Sequence, residues 1–140
     1  MSDYVVKKTV QLDAMPDEVW DALTNPEKTK KYFFHCAVYS DWKPGSPIVF
    51  KGKIFFIFPI ELKGTILEVV PQKLLKYQLV NGKTGTISTV TDMLRVEGKS
   101  TILSIMDDVG AGEGASDRYE RSMKGWDKIL KGLRLLIEGR

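Results

Sequence analysis

The sequence predicts an α+β fold: an antiparallel sheet of about six or seven strands, two short helices after the first strand, and one long C-terminal helix lying across the sheet. Three observations carry this. Strand-like segments separated by tight turns fill the middle of the chain. Two proline-led helix starts follow the first of them. An amphipathic stretch from Ser116 to Glu138 closes the chain, and only the sheet is available to receive its apolar face.

Tyr4 to Leu12 sets Val5, Val6, Val10 and Leu12 among charges and reads as the first strand. Pro16 then opens a helix, PDEVWDAL, with Asp17 and Glu18 suited to the positive end of its dipole and Val19, Trp20 and Leu23 on one face. Asn25-Pro26-Glu27 repeats the start signal, so a second helix is expected to about Tyr32. From Ala37 the pattern changes. AVYSDW is a strand, Pro44-Gly45 a turn, and PIVFKG the next strand. Lys53 to Val70 holds one or two strands, with Pro59 marking an edge or a bulge. LLKYQLV (Leu74 to Val80) is a strand before the Asn81-Gly82 turn. Thr86 to Val96 and Ser100 to Asp107 form a hairpin, and GAGEG (Gly110 to Gly114) ends the sheet.

At 100° per residue, Tyr119, Met123, Trp126, Ile129, Leu130, Leu133, Leu136 and Ile137 share one arc of the final helix. Arg121, Lys124, Lys128, Lys131 and Arg134 share the opposite arc, with Leu135 the exception.

Composition excludes several chemistries. The chain has 140 residues, which fits one domain over 1–140. Its 43% hydrophobic and 28% charged content argues against disorder. A net charge of +3 does not by itself point to nucleic acid. One cysteine, Cys36, and one histidine, His35, leave no intrachain disulfide, no Cys/His zinc cluster and no two-histidine metal motif. No cofactor or metal is expected. The polar start, Met1 to Val10, carries no secretory signal, and the most apolar window, Ile54 to Ile60, is far below the ~20 residues of a spanning helix. No membrane span is expected, and the single thiol suits a reducing, cytoplasmic setting.

The hairpin holds the main polar feature. A turn at Glu97 to Ser100 pairs Val96 with Thr101, Leu94 with Leu103, Asp92 with Ile105 and Val90 with Asp107. Alternation then puts Asp92 and Asp107 on the face of Val90, Leu94, Leu103 and Ile105. If that face is the apolar one, two carboxylates point inward, with raised pKa values, and can act as a general base or hold a ligand's polar group. A one-residue slip would expose them instead. His35 is the other weak catalytic candidate. Its only neighbouring nucleophile is Cys36, and adjacent strand residues face opposite ways, so no dyad is expected. Cys36 reads as a small buried residue. Lys28, Lys30, Lys31 and the basic helix face read as solvated, and no specific nucleic-acid motif is present. GAGEG lacks the Lys-Ser/Thr ending of a phosphate loop.

The stretch from Leu12 to Glu27 (LDAMPDEVWDALTNPE) resembles the opening signature of the START-like (SRPBCC) superfamily. SDWKPGSPIVFKG (Ser40 to Gly52), KGTILEVVPQKLLKY (Lys63 to Tyr77) and GWDKILKGLRLLIEG (Gly125 to Gly139) follow in order, and together they resemble bacterial relatives of the activator of the heat-shock protein 90 ATPase. The resemblance implies a helix-grip fold, with a curved sheet around the last helix and a cavity between them. It implies an apolar or amphipathic, lipid-like ligand, or a co-chaperone or stress-response module that docks a chaperone or a second copy of itself. Some members of the superfamily are cyclases or hydrolases, and Asp92 or Asp107 would be the cavity carboxylate of such an enzyme. In that fold the expected lining is Tyr119, Met123, Trp126, Leu130 and Leu133 on the helix. On the sheet it is Phe50, Phe56, Phe58, Leu62, Ile66, Tyr77, Leu79, Val90, Asp92, Leu103 and Ile105. Any one of these side chains, taken alone, reads first as filling the core, and the cavity reading belongs to the group through the resembled fold. Two segments depart from the family pattern, the Phe-rich Lys53 to Ile60 and the charged Arg118 to Met123, and both are expected near the cavity mouth.

Overall fold

A computed structural model of the chain describes residues 4–54 and 57–139. The elements run β1 (Val5–Leu12), α1 (Pro16–Thr24), α2 (Pro26–Tyr32), β2 (Ala37–Ser40), β3 (Pro47–Ile54), β4 (Phe58–Val70), β5 (Leu74–Val80), β6 (Ile87–Glu97), β7 (Ser100–Asp108) and α3 (Ala115–Glu138). The strands form one curved, unclosed antiparallel sheet in the order β1-β7-β6-β5-β4-β3-β2. β2 to β7 are a meander, and β1 pairs with the last strand at the far edge. With α3 across one face, this is the helix-grip arrangement.

Local chemistry explains the helices. Pro16 and Pro26 start α1 and α2, where a missing N–H costs nothing. Asn25 ends one helix and begins the other: its backbone N–H donates to Asp21 and its side-chain oxygen accepts from Glu27 N–H at 3.0 Å. The Tyr32 hydroxyl donates to the Ala22 carbonyl at 2.7 Å, which fixes α2 on α1. Gly132 lets α3 approach α2, since a Cβ there would stand 2.9 Å from Tyr32 Cβ. Among the described residues no helix is long and apolar enough to cross a membrane.

The hairpin adopts the register that a Glu97–Ser100 turn imposes, with Val96 opposite Thr101, Asp92 opposite Ile105 and Val90 opposite Asp107. Alternation then places Leu103, Ile105, Val90, Leu75, Tyr77, Ile66, Ile48 and Phe50 on the covered face, where Trp126, Ile129, Leu130 and Leu133 of α3 pack on them. Each such side chain contributes about 1.5–3 kcal/mol through burial. The Lys53 to Val70 region gives the end of β3 and one long strand, β4. Its bulge falls between Ile66 and Glu68 rather than at Pro59. Pro59 sits opposite Lys53 where β4 runs past the end of β5, so its missing N–H breaks no ladder on that side.

The turn into β2 could not be anticipated. Phe34 and His35 both take left-handed backbone angles, φ 49° and 61°. Gly52 accommodates them: a Cβ there would lie 2.2 Å from the His35 carbonyl oxygen. This turn points Phe33 into the core and leaves Phe34 along α3, its ring 3.6 Å from where a Gly125 Cβ would stand.

Candidate functional site

Among the described residues, two spaces lie between the sheet and the helix. Deep in the core is a cavity of about 20 Å³, bordered by Phe50, Tyr77, Asp92, Ile105, Trp126, Leu130 and Leu133. It is large enough for roughly one water molecule. Towards the first turns of α3 an open groove of about 430 Å³ runs between Arg118–Ile129 and the ends of β4 to β7. Its apolar wall is Leu62, Leu79, Val90 and Trp126, with Phe33 and Phe34 at one side. Its polar groups are Asp107, Ser122, Ser88, Asn81, Thr86, Arg118 and Arg121.

The residues expected to line one cavity are therefore distributed. Leu62, Leu79 and Val90 face the groove, Phe50, Tyr77, Asp92, Ile105, Leu130 and Leu133 surround the small inner cavity, and Trp126 stands between the two. Ile66 and Leu103 are fully buried in the packed core and border neither space. Tyr119 and Met123, one helical turn apart, are half-buried outside both, and Tyr119 lies edge-on to Tyr4 at 6.3 Å. Phe58 is 60% exposed, because it occupies the part of β4 that overshoots β5. Phe56 lies outside the described residues. His35 is exposed in the left-handed turn, away from both carboxylates' spaces, and Cys36 is buried with its thiol donating to the Phe34 carbonyl at 3.5 Å. Burial pushes that thiol's pKa up, away from nucleophilic use.

Both hairpin carboxylates point inward: Asp92 is 4% exposed and Asp107 is 7% exposed. They lie diagonally on adjacent strands yet meet different surroundings. Asp107 opens on the groove. Its Oδ2 accepts from Ser122 Oγ at 2.7 Å and from Trp126 Nε1 at 2.9 Å, while its Oδ1 has no partner. Asp92 faces the inner cavity, and its Oδ1 also has no partner. Burial, then the neighbouring Asp107 charge, pushes Asp92 up to about 7. Burial raises Asp107 too, opposed by the Ser122 and Trp126 hydrogen bonds and reinforced by Asp108. The Tyr77 hydroxyl is held far above its ordinary value by burial and then by the two carboxylates. Asp107 thus keeps one oxygen buried without a partner, and Asp92 keeps its proton well above the ordinary aspartate range. Among the described residues no group of three or more His, Cys, Asp or Glu side chains could hold a metal ion.

Four groove features were not singled out from the sequence: Phe33, Phe34, Ser88 and Ser122. Ser122 was accessible, because it lies four residues before Trp126 and so on the same helix face. Phe33 and Phe34 were not, because two consecutive left-handed non-glycine residues leave no pattern in sequence.

The mouth is basic. The Arg118 guanidinium donates to the carbonyls of Val109 (3.0 Å), Glu113 (2.7 Å) and Ala111 (3.2 Å), holding the loop before α3. On α2, Lys28 pairs with Asp21 and Lys30 with Glu27.

A family model described as "Activator of Hsp90 ATPase homolog 1-like protein" matches residues 13–138. Among solved structures, a Mesorhizobium loti protein superimposes with TM-score 0.81 at 21% identity, over 96% of this chain and 96% of that one. A Cytophaga hutchinsonii protein does so with TM-score 0.77 at 30% identity, over 99% of this chain and 97% of that one. The Aha1 dimer from Colwellia psychrerythraea is similar in fold, with TM-score 0.75 at 17% identity over 96% of each chain. No curated protein matches the sequence.

Proposed function

The chain belongs to the activator of Hsp90 ATPase homolog 1-like family, and from that premise we propose that it binds an apolar or amphipathic small molecule in the groove between α3 and the sheet. The observation that supports this most is the groove itself: about 430 Å³ and mostly apolar-walled, with the buried Asp107 and Ser122 among its polar groups. That combination of size, apolar lining and few polar groups is typical of a ligand pocket. The binding site is the groove, and the inner cavity has no room for more than a water-sized guest.

The test is a titration with 8-anilino-1-naphthalenesulfonate, followed by fluorescence and thermal melting. Saturable binding that raises the melting temperature is expected, since anything that binds only the folded state stabilises it. Ser88→Phe fills the groove from β6 and is expected to abolish the binding. An unchanged melting temperature at large excess across a panel of apolar probes would remove the proposal.

A second reading, a docking module for a chaperone or a second copy, is favoured by Ile57 and Phe58, adjacent residues that are 72% and 60% exposed at the overshooting end of β4. Sedimentation of the wild type and of an Ile57→Ser/Phe58→Ser variant tests the self-association half. Concentration-dependent dimers lost in the variant support it, and a monomer in both cases rejects it.

A further inference from the structure

We propose that the glycine loop before α3 holds Arg118 ready for an anion, and that the groove's guest is an amphipathic monoanion. Its acidic head sits between Arg118 and Arg121, and its apolar body lies along Trp126. The inference rests on the groove being a binding site and names the charge of what that site takes.

The loop from Gly110 to Gly114 closes on one side chain. Val109, Ala111 and Glu113 each precede a glycine of left-handed backbone: Gly110 (φ 81°), Gly112 (φ 89°) and Gly114 (φ 79°). The carbonyls of those three residues all accept from the Arg118 guanidinium, at 3.0, 3.2 and 2.7 Å. Glycine takes such angles without strain, so the alternation lets every second carbonyl turn to the same group. A Cβ at Gly114 would also stand 3.1 Å from Arg118 Nη1.

The group held in this way keeps its charge. A guanidinium has five N–H donors, so three bonds leave two for a further acceptor. Neutral carbonyls do not cancel the charge, and among the described residues Arg118 has no carboxylate partner. It is half-buried at the groove. A charge partly withdrawn from water and left unpaired favours an incoming anion. Because the side chain is already fixed, little freedom is lost when the anion binds. Arg121, on the next turn of the same side of α3, borders the groove, is exposed and makes no ion pair among the described residues.

Nearby acids do not offset the two arginines. Asp107 is the other charged residue bordering the groove, but it is 7% exposed and its Oδ2 is taken by Ser122 and Trp126. Glu113, Asp117 and Glu120 lie on the loop and the first turns of α3 and do not border the groove. The remaining wall is apolar: Leu62, Leu79, Val90 and the Trp126 ring. A bare inorganic anion leaves that wall in water, and a neutral apolar molecule leaves Arg118 unpaired. An amphipathic anion satisfies both.

The experiment loads the full chain with the neutral fluorophore N-phenyl-1-naphthylamine and displaces it with decanoate, decanamide or decylammonium. These have equal carbon number and differ in head charge. Decanoate is expected to bind about fivefold or more tightly than decanamide, with decylammonium weakest. The advantage is expected to shrink in about 0.5 M sodium chloride. Arg118→Gln and Arg121→Gln are each expected to weaken decanoate by about threefold or more and to leave decanamide unchanged. Arg118→Lys keeps the charge but not the planar fork that the three carbonyls hold, and is expected to fall between the wild type and Arg118→Gln. An Arg118→Lys variant that matches the wild type overturns the role given to the loop. Should the Arg118 variants not fold, the wild-type ratio and Arg121→Gln decide. Decanoate and decanamide that displace the fluorophore equally well overturn this inference while leaving the binding reading intact. No binding by the fluorophore or by any of the three chains overturns both.

Discussion

The indole Nε1 of Trp126 donates to Asp107 Oδ2 at 2.9 Å, so the long helix is joined to β7 by a buried charge-assisted bond at the inner end of the groove. Ser122 adds a second donor to the same oxygen one turn earlier on α3. Trp126→Phe keeps most of the ring but removes the donor, and is expected to cost about 1–3 kcal/mol in urea unfolding. A loss below about 0.5 kcal/mol would mean that this bond does not anchor the helix.

Stability is expected to fall as pH rises through neutrality. Asp92 has a folded-state pKa of about 7, above the 3.8 of an ordinary aspartate. Between those values the folded chain holds a proton that the unfolded chain releases, so the slope of stability with pH is negative there and flattens above about pH 7. Burial and then the charge of Asp107 on β7 act on it, while Tyr77 of β5 and Tyr32 of α2 are themselves raised by burial and then by Asp92. The window amounts to about 4 kcal/mol at most for Asp92. Asp92→Asn is expected to melt higher than the wild type at pH 8 and to have a flatter profile between pH 5 and 8. A wild type more stable at pH 8 than at pH 5, with the variant following it in parallel, would contradict the assignment.

The two α3 glycines are expected to respond in opposite directions to alanine. A Cβ at Gly125 meets the Phe34 ring at an ordinary 3.6 Å, so Gly125→Ala gains helix propensity of roughly 0.5–1 kcal/mol. A Cβ at Gly132 would stand 2.9 Å from Tyr32 Cβ, close to the α2 backbone, and Gly132→Ala is expected to lower stability despite the same propensity gain. Thermal melts of the two variants side by side check this, and two stabilised variants would show that α2 and α3 are not in contact at Tyr32.

The hairpin was readable because one turn, Glu97 to Ser100, fixes every pair behind it, and alternation then turns Asp92 and Asp107 to the apolar side. The long helix was readable from its period, and the observed start differs from the expected one by a single residue. The division of the interior was not readable. Periodicity assigns Phe50, Val90 and Phe58 to one face but is silent on what covers each: Phe50 meets Phe33, with ring centroids 4.6 Å apart, and closes the inner space, Val90 borders the groove, and Phe58 reaches past the helix into solvent. The closure depends on Phe33, whose position comes from the strained turn at Phe34 and His35 against Gly52.

Ile57→Ser and Phe58→Ser are expected to change folding stability by less than about 0.5 kcal/mol each in dilute protein, since both side chains already face solvent. Denaturant unfolding of the single variants measures it, and a loss above about 2 kcal/mol would show that these residues are covered in solution.

The central claim, that the groove beside Asp107 is where a small molecule binds, is tested most directly through the three indole N–H signals of Trp20, Trp42 and Trp126 in ¹⁵N-labelled protein. They are assigned by single Trp→Phe variants and followed during titration with 8-anilino-1-naphthalenesulfonate. Trp126 lines the groove and bonds Asp107, whereas Trp20 and Trp42 do not border it. A saturable shift of the Trp126 signal, with the other two unchanged, is expected. A titration that saturates while the Trp126 signal stays in place, or that shifts Trp42 alone, would contradict it.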